Sequence, residues 1–173
     1  MKSAVINLYG APGVGKSTLA AELFAELKKR HISTEITLEF AKELVYNEDK
    51  RLLDDQLIVL AEQYRRIFVL NGKVDFIITD SPVLLSIFYN KKNKSYPDEY
   101  FSQIAQNAHD KFRNINIMIE REFFYNPQGR RETEKEAFEI QQEIKNYFNK
   151  LNIKYLTVNS KNALNKILNY ILK

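Results

Sequence analysis

The residues whose types and spacing point most directly to chemistry lie near the start of the chain. Gly10, Ala11, Pro12, Gly13, Val14, Gly15, Lys16, Ser17 and Thr18 fit G-x-x-x-x-G-K-[ST]. Glycines at the first and sixth positions let the backbone turn its N–H groups inward around an anion, and a helix beginning near the lysine adds the positive end of its dipole. Lys16 would reach the β- and γ-phosphates of a nucleoside triphosphate, and Ser17 would offer its hydroxyl to the Mg2+ that bridges them. The glycine order does not fit G-x-G-x-x-G, the dinucleotide fingerprint. ATP with Mg2+ is therefore the expected ligand, and transfer of its terminal phosphoryl group the expected chemistry.

Carboxylates and arginines elsewhere could complete such a site. Asp80 follows the apolar run 74–79, where it would hold Mg2+ directly or through water and line the acceptor site. It could equally cap a helix with Pro82 in its first turn. Asp75, at the start of that run, reads as a surface charge. Glu39 follows the β-branched run 34–38 and could orient or deprotonate an acceptor hydroxyl, or simply interact with the dipole of the next helix. Arg121, Arg130 and Arg131 flank a segment containing Pro127 and Gly129, so residues 121–133 read as a lid. Arg121 and Arg130 would stabilise charge on the transferred group, and Arg131 would help hold the nucleotide; the plainer reading is a solvated basic loop. Gln63 and Arg65, on one helix with Gln56 and Tyr64, are candidates for contact with the acceptor.

The elements that must position these residues are legible from hydrophobic period and turn chemistry. A buried strand at 4–9 leads into a helix with Leu19, Leu23 and Leu27 on one face and a basic end at Lys28, Lys29, Arg30 and His31. A second strand at 34–38 precedes a short stripe of Phe40, Ala41, Leu44 and Val45. Leu53, Leu57, Leu60, Tyr64 and Ile67 mark one long amphipathic helix ended by Asn71-Gly72. A third strand at 74–79, a helix from Pro82, a polar loop at 90–97 and a helix through Tyr100, Phe101, Ile104, Ala108 and Phe112 follow. Strands at 116–119 and 154–158 frame a helix through Ala137, Ile140, Ile144 and Tyr147, and Leu164, Ile167, Leu168 and Ile171 close the chain. Five strands separated by helices imply a parallel sheet covered on both faces.

Composition narrows the alternatives. A chain of 173 residues, 45% hydrophobic, suits a single domain over 1–173. It has no cysteine and only two histidines, His31 and His109, which excludes disulfides and argues against zinc, so any metal should be oxygen-bound. No apolar stretch approaches the roughly 20 residues of a membrane span, and the first apolar run is too short for a signal segment; a soluble, cytoplasmic protein is expected, with no membrane partner. A formal charge of +4 would attract phosphate-rich partners. The basic residues are nevertheless dispersed except at Lys91-Lys92-Asn93-Lys94, and the wealth of Lys, Asn, Ile and Tyr is what AT-rich coding produces unaided, so nucleic acid is the disfavoured partner. A homodimer is compatible with the sequence.

Several segments together resemble a family: residues 10–18, Glu39 followed by Phe40-Ala41-Lys42-Glu43, Asp55-Gln56 with Glu62-Gln63, Ile78-Thr79-Asp80-Ser81-Pro82, and Gly129-Arg130 with Thr133-Glu134 and Glu136-Ala137. The chain resembles the small P-loop kinases related to the ribosylnicotinamide kinase domain of NadR, and especially their phage-encoded versions, for which the host cytoplasm would be the setting. Deoxynucleoside kinases are similar in plan, with a glutamate after the second strand acting as base and an acidic-Arg-Ser motif after the third. That resemblance implies Glu39 as base and places Asp80-Ser81-Pro82 at the second motif, but Ser81 replaces the arginine, whose role would pass to a residue such as Arg65 or Arg121. The expected architecture is a doubly wound α/β P-loop NTPase fold with strand order 2-3-1-4-5 and an arginine-bearing lid. The expected activity is ATP-dependent phosphorylation of a nucleoside, nucleoside monophosphate or nicotinamide riboside. The rival readings are an ATPase switch acting on a protein partner and a kinase of a modified base in DNA.

Overall fold

A computed structural model of the chain describes residues 2–120, 133–159 and 161–172. Its elements run β1 (Ala4–Tyr9), α1 (Lys16–Lys29), β2 (Thr34–Thr37), α2 (Phe40–Tyr46), α3 (Lys50–Asp54), α4 (Gln56–Phe68), β3 (Phe76–Thr79), α5 (Leu85–Asn93), α6 (Asp98–Asp110), β4 (Arg113–Glu120), α7 (Glu134–Lys150), β5 (Leu156–Asn159) and α8 (Ala163–Ile171). The strands form one five-stranded sheet of order β2-β3-β1-β4-β5, parallel at every pairing, as the sequence leads one to expect.

Alternation along each strand divides the core into two layers. Val5, Tyr9, Ile77 and Met118 pack on one face with Leu60, Leu84, Phe88, Phe101 and Phe148. Ile6, Leu8, Ile78, Ile117 and Ile119 pack on the other with Leu19, Leu23, Leu27, Val158 and Ile167. β1 is buried at all of its positions because it lies in the middle of a sheet covered on both sides. Its one polar residue, Asn7, is held within the sheet: its amide donates to Asn114 Oδ1 at 2.8 Å and Asn116 Oδ1 at 3.2 Å. Such a satisfied network ties β1 to β4 in a single register.

Several local features depart from the sequence reading, among them the polar loop expected at 90–97, whose first residues are the end of α5, which runs to Asn93. The long helix expected from Leu53 to Ile67 is two helices, because Asp55 turns its carboxylate onto the N–H groups of Leu57 and Ile58 and so caps α4 where continuity was expected. The helix after Pro82 has no side-chain cap: Pro82 opens a turn through a Leu85 N–H to Pro82 carbonyl bond of 2.9 Å, and α5 starts at Leu85. Neither Asp80 nor Ser81 serves as that cap. His31 has a backbone role beyond its place at a basic helix end. It sits at φ 59° and closes α1 with Ile32 N–H donating to Leu27 O at 3.0 Å and His31 N–H to Lys28 O at 3.0 Å. Glu48 and Asn152 close α2 and α7 in the same manner.

Among the described residues no helix is long and apolar enough to cross a membrane. The start of α7 is fixed by a capping box in which Glu136 N–H donates to Thr133 Oγ1 at 3.3 Å and Thr133 N–H donates to Glu136 Oε2 at 2.7 Å. The Thr133 N–H, aided by Lys92, lowers the Glu136 carboxyl from 4.5 to about 2. A depressed folded-state value means that this contribution is present above the ordinary carboxylate range and is lost as pH falls from 4.5 toward 2. Urea unfolding at successive pH values should therefore show Glu136→Gln less stable than the parent near neutrality, with the gap closing across that acid window.

Candidate functional site

The glycine-rich turn leaves β1 at the carboxyl edge of the sheet, the edge at which α/β sheets bind ligands. At Gly10, φ is 153°, and a Cβ would fall 2.7 Å from Val14 Cγ2 and 3.0 Å from the Ile119 carbonyl oxygen, so the path exists only for glycine. Gly15 stands at the N-cap of α1 with φ 90° and provides no side-chain cap. The first turn of α1 carries no acidic residue either, which leaves the positive end of that helix available to an anion. Lys16 starts the helix and folds its ammonium back over the turn, donating to the carbonyls of Gly10 at 3.0 Å and Ala11 at 3.1 Å. Pro12 and Gly13 form the crest of the turn and Thr18 is exposed on the first turn of α1.

Below Lys16, Ser17 Oγ donates to Asp80 Oδ2 at 2.6 Å. Asp80 directly follows β3, the strand beside β1, and is 1% exposed. Its Oδ1 has no hydrogen-bond partner among the described residues. A buried carboxylate oxygen without a donor is costly. Together with the Ser17 hydroxyl it forms the hard, all-oxygen donor set that suits Mg2+, and on that ground these residues fit the ion. No group of three or more His, Cys, Asp or Glu converges among the described residues, so protein ligands alone would not enclose a metal. Lys42 joins the pair, with Nζ donating to Ser17 Oγ at 2.8 Å and lying 3.9 Å from Asp80 Oδ2 and 4.0 Å from Glu39 Oε2.

Glu39 occupies the N-cap position of α2 without capping it through its side chain, and its carboxylate lies partly exposed at the same crevice as Lys42. Gln63 is buried and bonded within the protein at both amide atoms: Oε1 accepts from Phe40 N–H at 3.3 Å and Nε2 donates to Thr79 Oγ1 at 3.1 Å. It thereby joins the start of the helix bearing Glu39 to the end of the strand bearing Asp80. Arg65 points to solvent in a two-pronged pair with Glu62, both contacts 2.8 Å, and with Arg66 it lowers the Glu62 carboxyl to about 2. Arg66 is the residue that crosses to α2, donating to Glu43 Oε1 at 2.7 Å and to the Leu38 carbonyl at 3.2 Å. Arg121, Arg130 and Arg131, with most of the expected lid, lie outside the described residues.

Two contacts were not anticipated. Gln141 Oε1 accepts from Ala11 N–H at 2.6 Å while Gln141 Nε2 donates to Ile119 O at 3.3 Å. The signal for it is a lone amide in the apolar stripe Ala137, Ile144 and Phe148 of α7. Lys42 follows Glu39 by three residues and therefore shares its helix face, but nothing in the spacing brings Ser17 to it. The basic run after Tyr89 is partly neutralised, Lys91 pairing with Glu143 at 3.2 Å and Lys92 with Glu136 at 3.1 Å.

The sequence matches the family model described as an AAA domain over residues 5–165. No curated protein sequence matches it. Solved structures similar to it include the NadR protein in complex with NR, at 20% identity and a TM-score of 0.73 over 99% of this chain. NadR in complex with NAD and AMP-PNP is similar at 19% identity and a TM-score of 0.69, again over 99% of this chain. The chain spans about half of those NadR chains, 52% and 50%. The Mycobacterium tuberculosis APS kinase CysC in complex with AMPPNP and APS is similar at 10% identity and a TM-score of 0.53, with 99% of this chain and 96% of that one covered. The fold is thus that of P-loop nucleotide-binding proteins, and two of these three structures, the second NadR structure and the APS kinase, hold AMP-PNP.

If Gln141 fixes the turn, Gln141→Ala should leave the buried Ala11 N–H without its acceptor, at a cost of about 1–3 kcal/mol. Urea denaturation would measure that loss, and equilibrium binding of a fluorescent ATP analogue should weaken in parallel.

Proposed function

The chain belongs to the AAA domain family, and from that premise we propose that it transfers the γ-phosphoryl group of Mg-ATP to a small nucleoside- or nucleotide-like acceptor. The observation that carries the reading is the Ser17–Asp80 hydrogen bond of 2.6 Å beneath Lys16, with Asp80 buried and its second oxygen unsatisfied among the described residues. A Gly-rich turn alone binds phosphate; a turn joined to a buried acid on the neighbouring strand is built for a phosphate with its metal. The NadR structure with NR and the APS kinase structure with APS support a small acceptor of nucleoside or nucleotide type.

The residues divide the work by position. Within residues 10–18 the backbone N–H groups other than that of Ala11, which Gln141 holds, cradle the phosphates, Pro12 having none, and Lys16 exchanges the carbonyls of Gly10 and Ala11 for phosphate oxygens. Ser17 and Asp80 hold Mg2+, which when bound neutralises charge on the β- and γ-phosphates. Glu39, at the open side of the crevice, orients the acceptor hydroxyl and takes its proton; the acceptor oxygen bonds to the γ-phosphorus as the bond to the β-phosphate oxygen breaks, leaving ADP. Arg121 and Arg130 would stabilise the transferred group and Arg131 the nucleotide from the segment following β4. Gln63 acts by holding the two carboxylate-bearing elements together, and Arg65, held in solvent by Glu62, would reach the acceptor only by leaving that pair.

A screen followed by 31P NMR tests the proposal. The protein with Mg-ATP is offered ribonucleosides, deoxynucleosides, their monophosphates and nicotinamide riboside, with Lys16→Ala as blank. One class should yield a phosphorylated product absent from the blank, and Glu39→Gln should lower kcat for that acceptor by about 10^2- to 10^4-fold. ATP loss independent of every acceptor, with inorganic phosphate as product, would replace the proposal with an ATPase switch acting on a protein partner.

A further inference from the structure

Lys42 has no part in the mechanism above, yet its ammonium lies where that mechanism puts a metal. Its side chain is half exposed and on α2, but its head group crosses to Ser17 Oγ at 2.8 Å and stands 3.9 Å from Asp80 Oδ2 and 4.0 Å from Glu39 Oε2. Those are the hydroxyl and the carboxylate assigned to Mg2+, joined by the proposed base. A lysine seeking only a surface partner has little reason to approach a carboxylate that is 1% exposed, because its own ammonium loses water by doing so. The cost is balanced because two carboxylates converge there and a divalent ion would otherwise be needed to neutralise them.

We infer that Lys42 is a resident counter-cation: it neutralises the Ser17–Asp80–Glu39 corner in the nucleotide-free protein and competes with free divalent metal for it. A divalent ion drawn to within about 2.0–2.1 Å of the same oxygens cannot share the corner with an ammonium. The metal then enters with the triphosphate, whose negative charge makes room for a further cation, and the long half-exposed stem lets the ammonium swing out toward solvent or phosphate. Free metal does not dock first and the carboxylates are never left bare. The inference rests on the reading of Ser17 and Asp80 as metal ligands.

The test uses Mn2+ as the probe, with unbound ion read by electron paramagnetic resonance, on the full chain, Lys42→Met, Lys42→Gln, Lys42→Arg, Asp80→Asn and the Lys42→Met/Asp80→Asn double variant. Without nucleotide, both uncharged variants should bind Mn2+ at least about tenfold tighter than the parent, the size of effect a unit charge at about 4 Å exerts on a divalent ion even under water-like screening. Lys42→Arg should resemble the parent, and the double variant should lose the gain. The exposed surface replacement Lys29→Met should change nothing. With AMP-PNP present, parent and Lys42→Met should converge. Uncharged variants no tighter than the parent, or no tighter than Lys29→Met, overturn the inference about Lys42. Asp80→Asn binding Mn2+ with AMP-PNP as well as the parent does overturns instead the reading of Asp80 as a ligand, so the two failures are distinguishable.

Discussion

The N–H of Ala11 is buried at the point where the chain leaves β1, and its acceptor is a side chain 130 residues away, Gln141 at 2.6 Å. A tight glycine-rich turn does not satisfy this donor with its own carbonyls, so the donor is held from outside. Gln141 does this while anchored to the Ile119 carbonyl at the end of β4. The same carbonyl lies 3.0 Å from where a Gly10 Cβ would be. Three elements thus meet over one glycine: β1 delivers the turn, β4 limits its path and α7 holds its first peptide. The polar Gln141 stands in the apolar face of α7 because the turn requires it.

The opposite side of the crevice is built differently. Asp80 and Glu39 come from neighbouring strand ends, and their relative placement depends on Gln63, which binds the Phe40 amide and the Thr79 hydroxyl, and on Arg66, which braces α4 against α2. Side chains on one helix therefore set the separation of two carboxylates on others. The glycine-rich turn and the acid-bearing strand ends are separately supported halves, joined where Ser17 meets Asp80 and Lys42.

Much of this was written in short-range pattern. The apolar run at 4–9 is β1 and the run at 74–79 becomes β3 from Phe76, because both faces of a central parallel strand are covered, and their ends locate the glycine-rich turn and Asp80 without further information. The strand order came with the resemblance to P-loop kinases and not from short-range pattern. The break at Asp55 was missed because hydrophobic period continues across it; only the competition of its carboxylate for backbone N–H groups reveals the stop. Asp80 was legible as an acid at a sheet edge, but its release from capping is a tertiary fact, decided by a serine 63 residues away. Gln141 and Lys42 were invisible for that reason as well, since their partners are fixed by packing and not by spacing. Arg65 and Arg66 differ by one step along α4, which is a turn of about 100°, and that step decides which of the two faces α2.

His31, Glu48 and Lys94 end helices with backbone in the left-handed region at φ 59°, 56° and 52°, a conformation that costs a residue bearing a Cβ about 1–2 kcal/mol. All three lie in helix-ending turns and none belongs to the turn at 10–15, so this strain is stored outside the glycine-rich turn. Glycine at each would return part of that strain, less the roughly 0.5–1 kcal/mol by which it loosens the unfolded chain. The molecule therefore has room to become sturdier at the ends of α1, α2 and α5 while its crevice keeps the geometry it has, which makes thermal tolerance and the shape of the crevice separately tunable in this fold.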